Sequence, residues 1–374
     1  MPFSDGSRLA AQLAQIALLV ASTLLLRGIG RALLPGAEIA GGIHAADVAA
    51  ALLLLDPQVA CFGAFLWPEL PHLALFLFAW WVLVTRAERW PWLVIAGVAL
   101  GLALLTKSLL LAFVPVLLAP LLFTAGPWTR RLLRPAVVVG AMALTLLPTL
   151  LHNRSRYGVF GVADSSAFNA WVGLNDRSRR NFVGEIVGDE LGVYLKSAPD
   201  PARRAAIARG KIRALIDERG VLPVLRAQLS RQYFRLFDRD SFLADQLPGG
   251  AIAEHPDGYG YATPPSWLAA LLRGWGWAIY GTVLVGAALG VATVPSGDRR
   301  WLAVALLFVA YNLALFLVLH VKTRYRVQLM PVLDLFAAAT AAWLVTRQPR
   351  RPAAAWIAGG ALAAILLVLA FGGR

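Results

Sequence analysis

Long apolar runs separated by short polar connections dominate the chain. A helix that crosses a bilayer needs about 20 apolar residues. Ten runs approach or reach that length: residues 9–26, 44–64, 70–84, 92–105, 108–123, 133–151, 267–291, 301–320, 327–345 and 353–370. The third to fifth are short, and their edges are the least sharply drawn. The pattern predicts an all-α polytopic membrane protein of about ten transmembrane helices. A longer, more polar segment interrupts the runs between the sixth and the seventh. The domain division is therefore 1–152, membrane helices; 153–266, a segment outside the membrane; and 267–374, membrane helices.

Charge sets the orientation. Arg27 and Arg31 follow the first run, and Arg86 and Arg89 the third. Arg130, Arg131 and Arg134 follow the fifth, Arg299 and Arg300 the seventh, and Arg347, Arg350 and Arg351 the ninth. Every second connection is basic, which makes those five cytoplasmic and the 153–266 segment external. That segment holds 16 basic and 13 acidic residues, the near balance of a solvated region. Trp92, Trp267 and Trp301 stand at run edges, as an interfacial belt requires.

The external segment carries two helical patterns. Asp200 is placed to cap a helix with Pro201 at its first position. Ala208, Ile212, Leu215 and Ile216 form its stripe, and Gly220 ends it. Leu222, Leu225, Leu229, Tyr233 and Leu236 form a second stripe, with Arg226, Arg231 and Arg235 on the opposite face. Such a helix lies on a membrane surface, covers a site, or presents an ordinary solvated face. Residues 249–265, rich in Gly, Pro and Tyr, read as an irregular linker or mobile loop.

Composition agrees with this picture. The mean hydropathy is +0.65 and 59% of residues are hydrophobic, which excludes a soluble domain. The net charge of +14 does not indicate nucleic acid, because the Arg residues punctuate apolar runs rather than line one face. The single cysteine, Cys61, sits in an apolar run as a small packed hydrophobe. No His/Cys metal spacing, phosphate-binding glycine loop or internal repeat is present. A divalent metal stays open as a cofactor, with no ligands assigned.

The positions that invite chemistry are those that oppose the charge pattern. The hairpin of the eighth and ninth runs has cytoplasmic basic ends, so its turn is external. Lys322, Arg324 and Arg326 crowd into that turn. Cations there resist the topological tendency, and holding an anion explains them. Phosphate suits Arg through bidentate hydrogen bonds; anchoring to lipid headgroups is the alternative. Lys107, alone at another external connection, is a second functional position, with snorkelling to the headgroups as the alternative. Of the carboxylates outside the large segment, Glu69 opens a helix on the external side and Asp56 ends one there. Asp47 and Asp334 fall within apolar runs.

The order of these stretches resembles the GT-C superfamily of glycosyltransferases that use lipid-phosphate sugars, glycosyltransferase family 39 and its bacterial protein-mannosyltransferase-like relatives. The stretches are Leu54-Leu-Asp-Pro-Gln-Val with Pro68-Glu69; Gly101-Leu-Ala-Leu-Leu-Thr-Lys107; Leu147-Pro-Thr-Leu-Leu-His-Asn-Arg154 with Gly158 and Gly161; Phe168-Asn-Ala-Trp-Val-Gly-Leu-Asn175; Gln232-Tyr-Phe-Arg-Leu-Phe237; and Arg324-Tyr-Arg-Val-Gln-Leu-Met-Pro331. The resemblance implies a multi-pass enzyme of a bacterial cytoplasmic membrane. It would move a sugar from a polyprenyl-phosphate-linked donor to a lipid, glycan or protein acceptor outside, among membrane lipids and without nucleic acid. It implies substrate binding by Lys107, Asn153, Arg154, Asn169, Lys322, Arg324, Tyr325 and Arg326. In such enzymes the base is an acidic residue in the first external loop, after the first helix. This chain reads as beginning one helix and one loop later. Glu69 is then the best catalytic position, and a supporting role suits it better than that of base. A base-less relative, a lipid-linked-sugar transporter or envelope scaffold, is the alternative, although no related halves appear.

Overall fold

The computed structural model describes residues 5–65, 67–162, 165–175, 184–231, 233–239, 243, 247, 264–293, 298–346 and 353–372. Gln232, most of the 249–265 linker, and Arg347, Arg350 and Arg351 lie outside the described residues. Seven helices come first: α1 (Asp5–Leu33), α2 (Ala45–Leu55), α3 (Pro57–Ala60), α4 (Glu69–Thr85), α5 (Trp90–Thr106), α6 (Val114–Leu122) and α7 (Trp128–Tyr157). Four follow in the segment between: α8 (Ser165–Leu174), α9 (Gly184–Lys196), α10 (Pro201–Arg219) and α11 (Val221–Arg231). The last four are α12 (Ser266–Thr293), α13 (Arg299–Leu315), α14 (Met330–Thr346) and α15 (Ala353–Phe371). One two-residue hairpin, Glu38–Ile39 with Ile43–His44, is the sole sheet among the described residues.

The fold is the expected all-α membrane architecture. Among the described residues, four helices are long and apolar enough to cross alone, and a fifth crossing results if the bent pair Ala45–Leu55 and Pro57–Gly63 counts as one. Several remaining runs become helices of 17 residues, about 26 Å at 1.5 Å per residue, slightly short of a hydrocarbon core. The bent pair follows from Asp56-Pro57. Proline has no N–H to continue the ladder and holds the preceding residue extended. Asp56 is extended, and its side chain caps α3 by accepting from Gln58 N at 2.8 Å, so the axis turns by 55°.

Small residues set the helix spacing. A Cβ on Gly97 would lie 2.4 Å from Val138 O, and one on Gly290 would lie 2.1 Å from Phe336 O. The α5–α7 and α12–α14 contacts therefore require glycine there. A continuous apolar core joins α1 to α7 with α12 to α14. A small separate cluster of Phe168, Val172, Tyr194 and Ala208 holds α8 to α10 together.

The described connections sort into two groups by their contacts. In one, Arg27 and Arg31 pair with Asp47, Arg134 pairs with Glu88 and bonds Thr124, and Arg300 reaches Phe123 O. In the other, the turns around Asp56, Glu69, Lys107, Asp238 and residues 316–326 meet one another and the end of α15.

The two amphipathic helices form where expected. Asp200 accepts from Ala202 N at 2.9 Å and Arg203 N at 3.2 Å, Pro201 opens α10 and Gly220 ends it. On α11 the leucine stripe faces away from the bundle. Leu222 and Leu229 are exposed, while Val224 and Gln228 are buried. The inward face is set by hydrogen bonding: Gln228 Nε2 donates to Phe316 O and Leu319 O. A buried amide that satisfies two loop carbonyls outranks the leucines in choosing the face.

Candidate functional site

Three positions singled out in the sequence, each from a different connection, come together. Glu69 opens α4, Lys107 follows α5, and Arg324 lies in the 3₁₀ turn Thr323–Gln328 before α14. Lys107 Nζ donates to Glu69 Oε1 at 2.9 Å, and Arg324 Nε lies 3.7 Å from the same oxygen. The Glu69 side chain is only 2% exposed, against 15% for Lys107 and 24% for Arg324. The carboxylate thus sits behind the two cations, with its other oxygen lacking a hydrogen-bond partner among the described residues.

Aromatic rings fix the cations from the sides. The Arg324 guanidinium lies 4.5 Å from the Trp67 ring centroid and 5.4 Å from that of Tyr325. Lys107 Nζ lies 5.7 Å from the Tyr325 ring. Tyr325 is itself stacked on Phe316, at 5.2 Å with 6° between planes, and meets His320 edge-on. Ring faces attract cations by about 0.5–2 kcal/mol, the more so where water is excluded.

Lys107, Arg324 and Tyr325 form part of the wall of a cavity of about 210 Å³. Lys107, Ser108, Ser166, Asn169, His320, Arg324 and Tyr325 supply its polar lining; Leu104, Leu105, Leu109, Val162, Phe316 and Leu319 supply the apolar part. Among the described residues, no carboxylate belongs to this lining. Helix α8 closes one side. Asn169 O accepts from His320 N at 3.0 Å, and a Cβ on Gly173 would lie 2.6 Å from that same nitrogen, so glycine is needed for the approach. Burial, reinforced by Lys322 and Arg324, pushes the His320 imidazole down to about 3, so it is neutral. Burial brings the Lys322 ammonium down to about 8, aided by Arg324 and opposed by Glu69. Burial likewise lowers Lys107, against the pull of Glu69.

The other expected positions are placed differently. Arg326 is buried, away from the cavity lining. Its guanidinium bonds Gln58 Oε1 and Asp238 O and lies 4.0 Å from the Tyr280 ring centroid. Asn153 donates to Gly161 O at 2.7 Å and holds the turn after α7. Arg154 is exposed and donates to Gly158 O at 3.4 Å. Trp67, Phe316 and Gln58 had no individual signal in the sequence. Aromatic residues are common at the edges of apolar runs, and nothing local shows which of them a distant cation will meet.

Among the described residues no group of three or more His, Cys, Asp or Glu is arranged to hold a metal. The chemistry available is that of an anion site. Three cationic side chains, Lys107, Lys322 and Arg324, act against one carboxylate, beside an apolar surface. The local excess of positive charge is suited to a phosphate, and the aliphatic lining to whatever apolar chain the phosphate carries.

Comparison with known proteins gives the following. Residues 3–152 match the family described as dolichyl-phosphate-mannose-protein mannosyltransferase. No curated protein matches the chain. Among solved structures, the archaeal oligosaccharyltransferase AglB from Archaeoglobus fulgidus, in complex with an inhibitory peptide and a dolichol-phosphate, matches with a TM-score of 0.45 at 14% identity. That match covers 99% of this chain, which spans 44% of the length of the archaeal protein. Over residues 3–152 the family match bears out the resemblance to GT-C glycosyltransferases read from the sequence.

Proposed function

We propose that the protein is a membrane glycosyltransferase that moves a sugar from a polyprenyl-phosphate-linked donor to an envelope acceptor on the external face. The observation that carries this reading is the meeting of Lys107 and Arg324 over Glu69 at the wall of a half-apolar cavity. Transfer from such a donor breaks the bond between the anomeric carbon and a phosphate oxygen. Negative charge grows on the departing phosphate, and fixed cations stabilise it most where water is excluded. Lys107 and Arg324 are the groups for that task. Tyr325 and Trp67 orient them, and Glu69 holds both at one point. Lys322 adds charge from the same turn, and Asn169 lies across the cavity where it can meet the sugar or the acceptor.

A second reading rests on one specific observation: none of the described residues that line the cavity is a carboxylate. A protein that binds the lipid-linked sugar without transferring it needs no base. One experiment separates the two. The full chain, in proteoliposomes, is given a polyprenyl-phosphate sugar carrying a radiolabel. Binding that depends on Arg324, with label passing to an envelope acceptor, establishes the transferase; binding without transfer leaves the carrier; no binding removes both.

A further inference from the structure

The α11 helix presents an apolar face that nothing in the described chain covers. Leu222 is 77% exposed and Leu229 is 39% exposed, with the half-buried Leu225 between them. Their spacings of three and four residues put them on one side of the helix, about a third of a turn from the buried Val224 and Gln228. Arg226, also exposed, lies at the edge of the same face. The helix is about 16 Å long, at 1.5 Å per residue over its 11 residues.

Its attachment points fix its level in the molecule. Gln228, fully buried, donates to Phe316 O and Leu319 O, just past the end of the apolar helix α13 at Leu315. Beyond α11, the 3₁₀ turn Tyr233–Leu236 buries Leu236 in the membrane-helix core. Three residues later Arg239 N donates to Ala370 O at 3.0 Å, next to the end of the membrane-length helix α15 at Phe371. The helix is therefore tied down where two apolar helices run out, which is the level of the lipid headgroups.

From this we infer that α11 is an interfacial helix whose Leu222–Leu225–Leu229 face enters the phospholipid headgroup layer, with Arg226 at the lipid phosphates. Aliphatic side chains below and a guanidinium beside them match the two chemistries met in turn across that layer. A solvated face would not concentrate three leucines, and a binding face for a globular partner would be expected to offer aromatic anchors, which this one lacks. The loop at 316–320, which lines the cavity with Phe316, Leu319 and His320, hangs from the inner face of this helix through Gln228.

The test uses the full chain with Cys61 replaced by alanine and a single new cysteine at Leu222→Cys or Leu229→Cys, labelled with an environment-sensitive fluorophore. The protein is reconstituted into phosphatidylethanolamine–phosphatidylglycerol vesicles. Leu144→Cys, on the exposed face of the membrane-length α7, is the lipid reference, and the same fluorophore on free cysteine is the aqueous one. Both α11 labels should be quenched by nitroxide placed high in the acyl chains. Iodide quenching should fall about fivefold or more below that of the free adduct. Iodide quenching equal to that of the free adduct overturns the inference. So does protection from iodide without nitroxide quenching, which would mean that protein covers the face. The two cysteine positions are independent, so misfolding of one leaves the other to decide.

Discussion

Lys107 Nζ lies 2.9 Å from Glu69 Oε1, although 38 positions separate the two residues in the sequence. The pair joins the start of α4 to the end of α5, and Arg324 approaches the same carboxylate from the turn before α14. A carboxylate behind two cations neutralises part of their mutual repulsion. It also leaves their forward side, toward the cavity, free for a second anion.

The first expectation concerns that forward side. A hydrogen bond to a charged group contributes about 1.5–3 kcal/mol. Arg324→Ala should therefore weaken binding of a polyprenyl phosphate by about ten- to a hundredfold, measured by titration of the full chain in detergent or nanodiscs. Arg324→Lys should restore only part of it, because the planar fork and its stacking on Trp67 are lost. Unchanged affinity in the alanine variant would exclude Arg324 from the site.

Arg326 should behave differently, although it lies two residues away. Its guanidinium is buried and committed to Gln58, Asp238 O and the Tyr280 ring. Arg326→Ala leaves one buried and one partly buried acceptor without their donor and should destabilise the fold by about 3 kcal/mol. A thermal unfolding scan should show a clear fall in Tm, accompanied by loss of the docking of residues 237–239. A stable Arg326→Ala protein with a specific loss of phosphate binding would instead return Arg326 to the anion site.

Lys322 gives a pH signature. Its pKa is about 8 in the folded protein against an ordinary value of 10.5. Between those values the unfolded chain binds more protons than the folded one, so stability rises as pH rises through that window. Below about 8 both states carry the proton, and the full penalty is present. It is on the order of 3 kcal/mol at 1.36 kcal/mol per pKa unit. Lys322→Met should flatten the stability profile between pH 8 and 10.5 relative to the parent chain. Parallel profiles would show that Lys322 is not desolvated.

How much of this was legible beforehand depends on the kind of interaction. The helical class, the capped helix from Pro201 to Arg219 and the break at Asp56-Pro57 follow from local rules, because hydrophobic period, caps and proline act within a few residues. The importance of Glu69, Lys107 and Arg324 was also legible, since charge at apolar-run edges is conspicuous. Their mutual contact was not, because no sequence spacing encodes a meeting of three separate connections. Arg324 and Arg326 look alike in the sequence. Only the tertiary packing directs one toward a cavity and the other into Gln58. The inward face of α11 was not legible for a similar reason: the partners of Gln228 are loop carbonyls some 90 positions away.

The orientation of the bundle yields a labelling result. Ala206 is exposed on α10, and Arg130 is exposed at the start of α7 in the opposite group of connections. In intact cells an impermeant thiol reagent should modify Ala206→Cys and spare Arg130→Cys until the membrane is opened. The reverse pattern would invert the topology and with it the external site of action.

Glu69 is the residue for which two roles make opposite predictions. As a general base it would have to reach the acceptor hydroxyl, and removing it would lower kcat by about 10²–10⁴-fold with donor affinity intact. As a positioning residue it acts through Lys107 and Arg324, and its loss should appear first in donor binding. The geometry favours positioning: Glu69 is buried behind both cations and does not line the cavity. Glu69→Gln keeps the shape and a hydrogen-bonding oxygen for Lys107 but removes the charge that gathers the two cations. Donor affinity should fall by about tenfold, the equivalent of about 1.4 kcal/mol. Glu69→Asp, which keeps the charge on a shorter arm, should recover part of it. The two roles then separate in one set of measurements, donor affinity by titration and single-turnover transfer at saturating donor. A collapse of single-turnover transfer in Glu69→Gln with undiminished donor affinity would make Glu69 the base and overturn the positioning role.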